Sequence, residues 1–175
     1  YENIIKESTP KLQKNLFEAE NDDFEIKLNV DAFIPKEYIS SDADKIDFYK
    51  RLNSVITDEE IDSIVEDLID RFSDFGTEVT NLIDICYLKV KAKESRVTSV
   101  KELANKVIVT FEKDIVNKLK GKELFAALMP HKDVRIIAKD GFFLEIDKKE
   151  RYSIRHIRDM INLVKENMEE TNDKY

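Results

Sequence analysis

Apolar and polar residues alternate from Phe24 to Val30, with Phe24, Ile26, Leu28 and Val30 on one side and Glu25, Lys27 and Asn29 on the other. A period of two marks a strand with one buried face. The period then changes. Ser41 is placed to cap a helix carrying Ile46, Tyr49 and Leu52 on one face. Thr57 and Glu60 have the spacing of a capping box, in which each side chain satisfies a backbone N–H left free at a helix start. Behind them Ile61, Ile64, Val65, Leu68, Ile69 and Phe72 form an apolar stripe at helical spacing. A third helix is predicted after Gly76, capped by Thr77, with Val79, Leu82, Ile83, Cys86 and Val90 turned inward. Short connections imply that the three helices pack together.

The second half is richer in strands. Val107, Val109 and Phe111 alternate, and Val97 to Val100 supplies a shorter strand before them. Gly121 to Met129 reads as a short helix stopped by Pro130. Val134–Lys139 and Phe142–Ile146 flank Asp140-Gly141, a pair suited to positive φ, which predicts a hairpin closed by a two-residue turn. A last helix runs from about Ser153 to Met168, with Ile154, Ile157, Ile161, Val164 and Met168 facing inward. The sum is an α+β fold, a mostly antiparallel sheet packed with helices in the order β-α-α-α-β-β-α-β-β-α. Residues 1–22 have only weak helical spacing, broken at Pro10, and end in polar EAENDD. They read as a linker or tethering helical arm, residues 23–171 as the folded domain and 172–175 as a tail.

Charge narrows the partners. The 175 residues carry a net charge of −8, and 42% of them are hydrophobic. So acidic a surface repels phosphate backbones, and a basic protein surface is the more natural partner. One cysteine, Cys86, cannot form an internal disulfide, which points to a reducing cytoplasm. The apolar runs fall far short of the roughly 20 residues that span a bilayer. The amino terminus lacks the apolar segment of a signal peptide, and a start at Tyr1 rather than Met suggests an excised fragment.

Candidate chemistry is sparse. Three glycines, Gly76, Gly121 and Gly141, cannot build a Gly-rich phosphate cradle. Two histidines and one cysteine cannot assemble a structural zinc site. Cys86 lies on an apolar stripe and reads as core. His131, in a loop, and His156, between Arg155 and Arg158, read as surface residues. Carboxylate pairs such as Asp42/Asp44 are indistinguishable from a solvated acidic surface, so no catalytic, cofactor-binding or metal residue is assigned. Two charged faces remain. Lys89, Lys93 and Arg96, with Lys91 nearby, form a basic line without an interleaved aromatic to stack a base, and a solvated face outweighs a nucleic-acid site. Glu59, Ser63, Glu66 and Asp70 share the outer face of the second helix and are the candidate partner-binding residues, against the blander reading of solvent exposure.

One stretch is more specific than the rest. VDAFIPKEYI at Val30–Ile39, FYKRL at Phe48–Leu52 and DLIDRF at Asp67–Phe72 follow one another in fixed order. This pattern resembles the start of the carboxy-terminal domain of bacterial transcription-repair coupling factors. Those are ATP-driven DNA translocases that dislodge RNA polymerase stalled at lesions and recruit excision repair. The resemblance is densest from Phe24 to Val90, and looser beyond Val97. That family commonly has Gly after the Arg-Phe pair and Pro before the next helix, where this chain has Ser73 and Gly76. Asp31 and Pro35 would turn the chain after the strand, and Arg51 and Arg71 would pair with acidic neighbours on adjacent helices.

The resemblance implies a non-catalytic regulatory domain of a repair translocase. It would clamp an amino-terminal module similar to the excinuclease B subunit and mask the surface that binds the excinuclease A subunit. ATP and Mg would belong to the motor lobes, with no cofactor in this chain. The excinuclease A subunit, RNA polymerase and DNA would be partners through the parent protein, in the cytoplasm and without a membrane. An accessory nucleic-acid-binding domain of the same translocase is the alternative. A small enzyme with an unfamiliar site is a third reading, and it requires a deep polar pocket holding groups of shifted pKa.

Overall fold

The computed structural model describes residues 24–149 and 152–168. The tethering arm expected at 1–22 and the tail at 172–175 lie outside them. The described residues fall into two compact units, one of residues 29–90 and one of 24–28 with 91–168.

The first unit is helical. Helix α1 (Asp42–Asn53) starts at Ser41, whose hydroxyl oxygen accepts the Asp44 N–H at 3.2 Å. Helix α2 (Asp58–Phe72) starts in the expected capping box: Thr57 Oγ1 accepts from the Glu60 N–H at 3.2 Å, and Glu60 Oε1 from the Thr57 N–H at 3.1 Å. Helix α3 (Thr77–Glu94) begins one residue earlier than its expected cap allows. The Gly76 carbonyl accepts both the Thr80 N–H and the Thr80 hydroxyl at 3.0 Å, so Thr77 is already helical.

The inward faces differ in width from the expected ones. On α1 the buried stripe is Lys45, Phe48, Tyr49 and Leu52, at spacings of three and four, while Ile46 lies off it and is 39% exposed. Lys45 takes an inward place because its stem is apolar and its ammonium still reaches Asp42 at 3.5 Å. On α2 Ile61, Ile64 and Leu68 are buried, but Ile69 is 42% exposed. On α3, Val79, Leu82, Ile83, Cys86, Leu88 and Val90 are all buried, more than one stripe can hold. A helix apolar on nearly every side is an enclosed one.

The second unit holds a five-stranded sheet in the order β1-β2-β3-β5-β4. The strands are β1 (Glu25–Lys27), β2 (Val97–Glu102), β3 (Lys106–Phe111), β4 (Val134–Ile137) and β5 (Phe142–Asp147). Only β1 and β2 are parallel, with Ile26 beside Val100; the other pairings are antiparallel. Parallel strands need a long crossover, and here three helices supply it. β1 is shorter than the seven-residue alternation predicts, and β2 ends at Glu102, one residue beyond the partner of Lys27.

One face of the sheet buries Val100, Val107, Val109, Phe111, Phe142, Leu144 and Ile146. Helices α4 (Gly121–Leu128) and α5 (Ile154–Glu166) pack on each other, burying Leu124 and Leu128 from one and Ile154, Ile157, Met160, Ile161 and Val164 from the other. The Ser153 hydroxyl oxygen caps α5, accepting the His156 N–H at 3.0 Å. Met168 lies beyond the helix, in an isolated bridge with Leu119. A 3-10 turn at Lys113–Lys118, with Ile115 buried, gave no sequence signal.

The β4–β5 hairpin is present, but its turn is longer than two residues. Ile137 is the last residue of β4 to pair, and its partner is Phe143, which leaves five residues between the two paired positions. Asp140 (φ 55°) and Gly141 (φ 139°) do adopt the positive φ that their identities suggest.

Candidate protein-interaction surface

The three motifs meet one another in the first unit. Pro35 turns the chain, its carbonyl accepting the N–H groups of Tyr38 and Ile39 at 3.0 and 3.1 Å. Just before it, the Ile34 N–H donates to the Tyr49 hydroxyl oxygen at 2.8 Å. Burial pushes the Tyr49 phenol up to about 12. Arg51 bonds Asp67 at 2.7 Å and lies over the Phe48 ring. Arg71 reaches Asp44 at 3.6 Å and Asp67 at 3.9 Å, and covers the rings of Phe48 and Phe72. Both arginines therefore pair across α1 and α2, as their sequence context predicts. Tyr38 adds a tilted ring contact to Phe72 and an edge contact to Phe75. The Asp31 carbonyl accepts from Asn81 Nδ2 at 3.0 Å, so its backbone, not its exposed carboxylate, holds the turn.

With Leu68 turned inward and Asp67 and Arg71 engaged with α1, α2 presents Glu59, Ser63, Glu66 and Asp70 outward. All four are exposed, and steps of four, three and four residues align them along the helix. Among the described residues none of the three carboxylates is ion-paired. Asp67, three residues before Asp70, is committed to Arg51 and Arg71. Ile69 stands exposed beside Glu66 and Asp70. The result is an acidic strip with an apolar residue at its edge, able to meet a basic protein surface.

The basic line is taken apart. Lys89 is only 3% exposed, and its ammonium donates to Asn53 Oδ1 at 3.2 Å and to the Asn53 carbonyl at 3.4 Å. Lys93 is exposed and lies 5.7 Å from the centroid of the Phe24 ring. Arg96 lies past the end of α3 with φ 63°, bonded to Glu112 at 3.3 Å and near Asp114 at 3.7 Å. Helical spacing extrapolated beyond Glu94 aligns residues that the backbone separates.

Cys86 is fully buried with its Sγ 3.9 Å from the Leu52 carbonyl, and burial pushes the thiol up to about 12. It is a core residue. His156 departs from its expected place on the surface. Its Nε2 is 2.6 Å from Asp133 Oδ2, with both side chains largely buried where the start of α5 meets the loop before β4. His131 is half-buried, its ring 6.4 Å from that of His156. Two clefts, of about 520 Å³ beside Lys120, Asn162 and Lys165 and about 290 Å³ beside Lys106, Asp133 and Glu145, are lined by neither Cys86 nor either histidine. Among the described residues no helix is long and apolar enough to cross a membrane.

A family profile described as the TRCF domain matches residues 28–121. The transcription-repair-coupling factor of Staphylococcus haemolyticus is 33% identical over 132 residues, covering 74% of this chain and 11% of that protein. Its counterpart in Staphylococcus aureus is 36% identical over 113 residues, covering 65% and 10%. The chain thus spans about a tenth of the length of these relatives. A crystal structure of the C-terminal domain of a transcription-repair coupling factor shares the fold, with a TM-score of 0.69 at 24% identity, over 81% of this chain and 89% of that one. The motif residues that lock α1 to α2 lie within the matched span, and the chain belongs to the TRCF domain family.

Proposed function

We propose that this chain is a non-catalytic regulatory domain of a transcription-coupled repair translocase, acting as an autoinhibitory clamp on the excinuclease-B-like amino-terminal module of the same protein. In the closed state it masks the surface that binds the excinuclease A subunit. ATP and Mg serve the motor lobes of the parent. RNA polymerase and DNA are reached through that parent, and the setting is the cytoplasm.

The observation that carries the reading is the acidic strip Glu59, Ser63, Glu66 and Asp70. Among the described residues three carboxylates stay unpaired there while the neighbouring Asp67 is consumed by the scaffold. A strip of this kind suits docking on a basic surface, with charge setting specificity and on-rate. The energy required is small: holding a closed state at 99% needs about 2.7 kcal/mol of net preference. Tethering in one chain raises the effective concentration and relaxes the demand on the interface. The nucleic-acid alternative has less support, since of its basic line Lys89 is buried and Arg96 is paired while Lys93 is exposed.

The test is a titration of this chain against the isolated amino-terminal module, at low and moderate salt. Saturable binding, weakened at least about tenfold by Glu59→Lys, Glu66→Lys and Asp70→Lys together, is expected. Undiminished binding of the triple variant would place the clamp on another face. Failure of the unaltered chain to bind, even when fused to the module through a flexible linker, would end the reading.

A further inference from the structure

Helix α4 is apolar on two sides, and only one is covered. Leu124 and Leu128 are buried. Lys122, Phe125, Ala126 and Met129 form a second stripe at steps of three, one and three residues, and all four are exposed. Phe125 is 66% and Met129 75% exposed, and the Met129 N–H still closes the last helical turn on the Phe125 carbonyl at 3.0 Å. Large apolar side chains standing together in water on one face mark an interaction site more often than chance exposure does.

The rim has a charge opposite to that of the chain. Lys122 lies on the stripe, Lys118 and Lys120 precede it in the chain and Lys132 follows it, with Glu123 the one carboxylate between Lys118 and Lys132, in a protein of net charge −8. Among the described residues none of these four lysines is ion-paired. Several cations elsewhere are committed: Arg51, Arg71, Arg96, Lys91 and Lys165 all meet carboxylates.

We infer that the exposed face of α4 is a docking site for an acidic amphipathic helix of a partner protein. The stripe from Lys122 to Met129 is about 10 Å long, at 1.5 Å per residue, which matches two turns of a helix laid against it. Apolar residues of the partner cover Phe125, Ala126 and Met129, and its carboxylates meet the lysines. Met129 suits this role because an unbranched thioether adapts to the shape of what covers it. A nucleic acid is a poorer occupant. Phe125 is one stacking ring, while Ala126 and Met129 offer a base nothing to stack on. A bilayer is poorer too, since two bulky apolar groups on an eight-residue helix give a shallow anchor. This face belongs to α4, not α2, so the inference stands or falls separately from the clamp.

The probe is a labelled helical peptide of about 15 residues, with Leu at positions i, i+3, i+4 and i+7 and Glu elsewhere. Its fluorescence anisotropy is followed on titration with the 175-residue chain. A scrambled peptide of the same composition is the control. Saturable binding of the patterned peptide alone is expected. It should weaken about tenfold or more in Phe125→Ser/Met129→Ser, and comparably in Lys118→Glu/Lys120→Glu/Lys122→Glu. These positions carry little burial, so circular dichroism and thermal midpoints should stay unchanged. Equal binding of the scrambled peptide, or undiminished binding by both variants, would overturn the proposal. So would displacement of the peptide by an oligothymidine or by phosphatidylglycerol vesicles at comparable concentration. A self-association in sedimentation that Phe125→Ser/Met129→Ser dissolves would assign the face to a second copy instead.

Discussion

The Tyr38 hydroxyl lies 2.7 Å from the Ser73 carbonyl and 3.1 Å from that of Leu68, so one phenol holds both the last turn of α2 and the residue that leaves it. Ser73 has φ 69° and ψ −166°, a backbone state that costs any residue but glycine of order 1–3 kcal/mol. Ser73→Gly is therefore expected to stabilise the fold by about 1 kcal/mol, after allowing for the added freedom of the unfolded chain. Tyr38→Phe should cost about 1 kcal/mol by removing the donor. Denaturant titrations of both variants check this, and a Ser73→Gly protein no more stable than the parent would show that the strain is relieved by other means.

Asp67 and Asp70 lie less than one turn apart and should behave oppositely. Asp67→Ala strips a carboxylate from two guanidiniums and should cost about 1 kcal/mol, the upper end for part-exposed pairs. Asp70→Ala should leave stability within about 0.5 kcal/mol. Chemical denaturation of the two single variants separates scaffold from surface, and equal losses would contradict the assignment.

Lys89 is held inside by Asn53. Asn53→Ala removes the amide oxygen from the ammonium and leaves the backbone carbonyl of residue 53, and should cost about 1–2 kcal/mol. Neither that change nor Lys89→Gln should alter retention of a labelled oligonucleotide. A gel-shift series on folded variants would reveal any contribution of Lys89 to DNA binding.

The first unit should lose stability in alkaline solution. The Cys86 thiol rises from 9.0 to about 12 and the Tyr49 phenol from 10.0 to about 12, both through burial. Above pH 9 the unfolded chain releases protons that the folded chain keeps, so stability falls as pH rises. The contribution of these groups is complete below pH 9 and is lost by about pH 12. Within that window a rise of one in pH removes up to about 1.4 kcal/mol for each group. Cys86→Ala should move the onset of the decline from about pH 9 towards pH 10. Midpoints of urea unfolding between pH 8 and pH 11 would show whether it does.

The order of elements was readable because each carries a local signal: the Thr57/Glu60 box, the alternation at Val107, Val109 and Phe111, and the Asp140-Gly141 turn. Pairing was not readable. Whether β1 runs parallel to β2 depends on a register between residues far apart in sequence, which no local period encodes. The candidate surfaces divide in the same way. Exposure of Glu59, Glu66 and Asp70 follows from the α2 stripe, whereas burial of Lys89 depends on an acceptor from another helix. The Phe125 and Met129 face was missed because a short helix apolar on both sides looks like core until its neighbours are in place.

The parallel edge strand has a consequence for the order of assembly. Within this sheet β1 is synthesised before the other strands, yet β2, its partner among the described residues, appears about 70 residues later, after three helices. Closing so long a loop is slow, and three residues of pairing offer little reward until β2 is already fixed by β3. The sheet is thus completed last at the end that was made first. By the same token, a tension applied to the backbone just ahead of Phe24 would be borne by that short ladder, so the edge would detach while the four-stranded remainder stays intact.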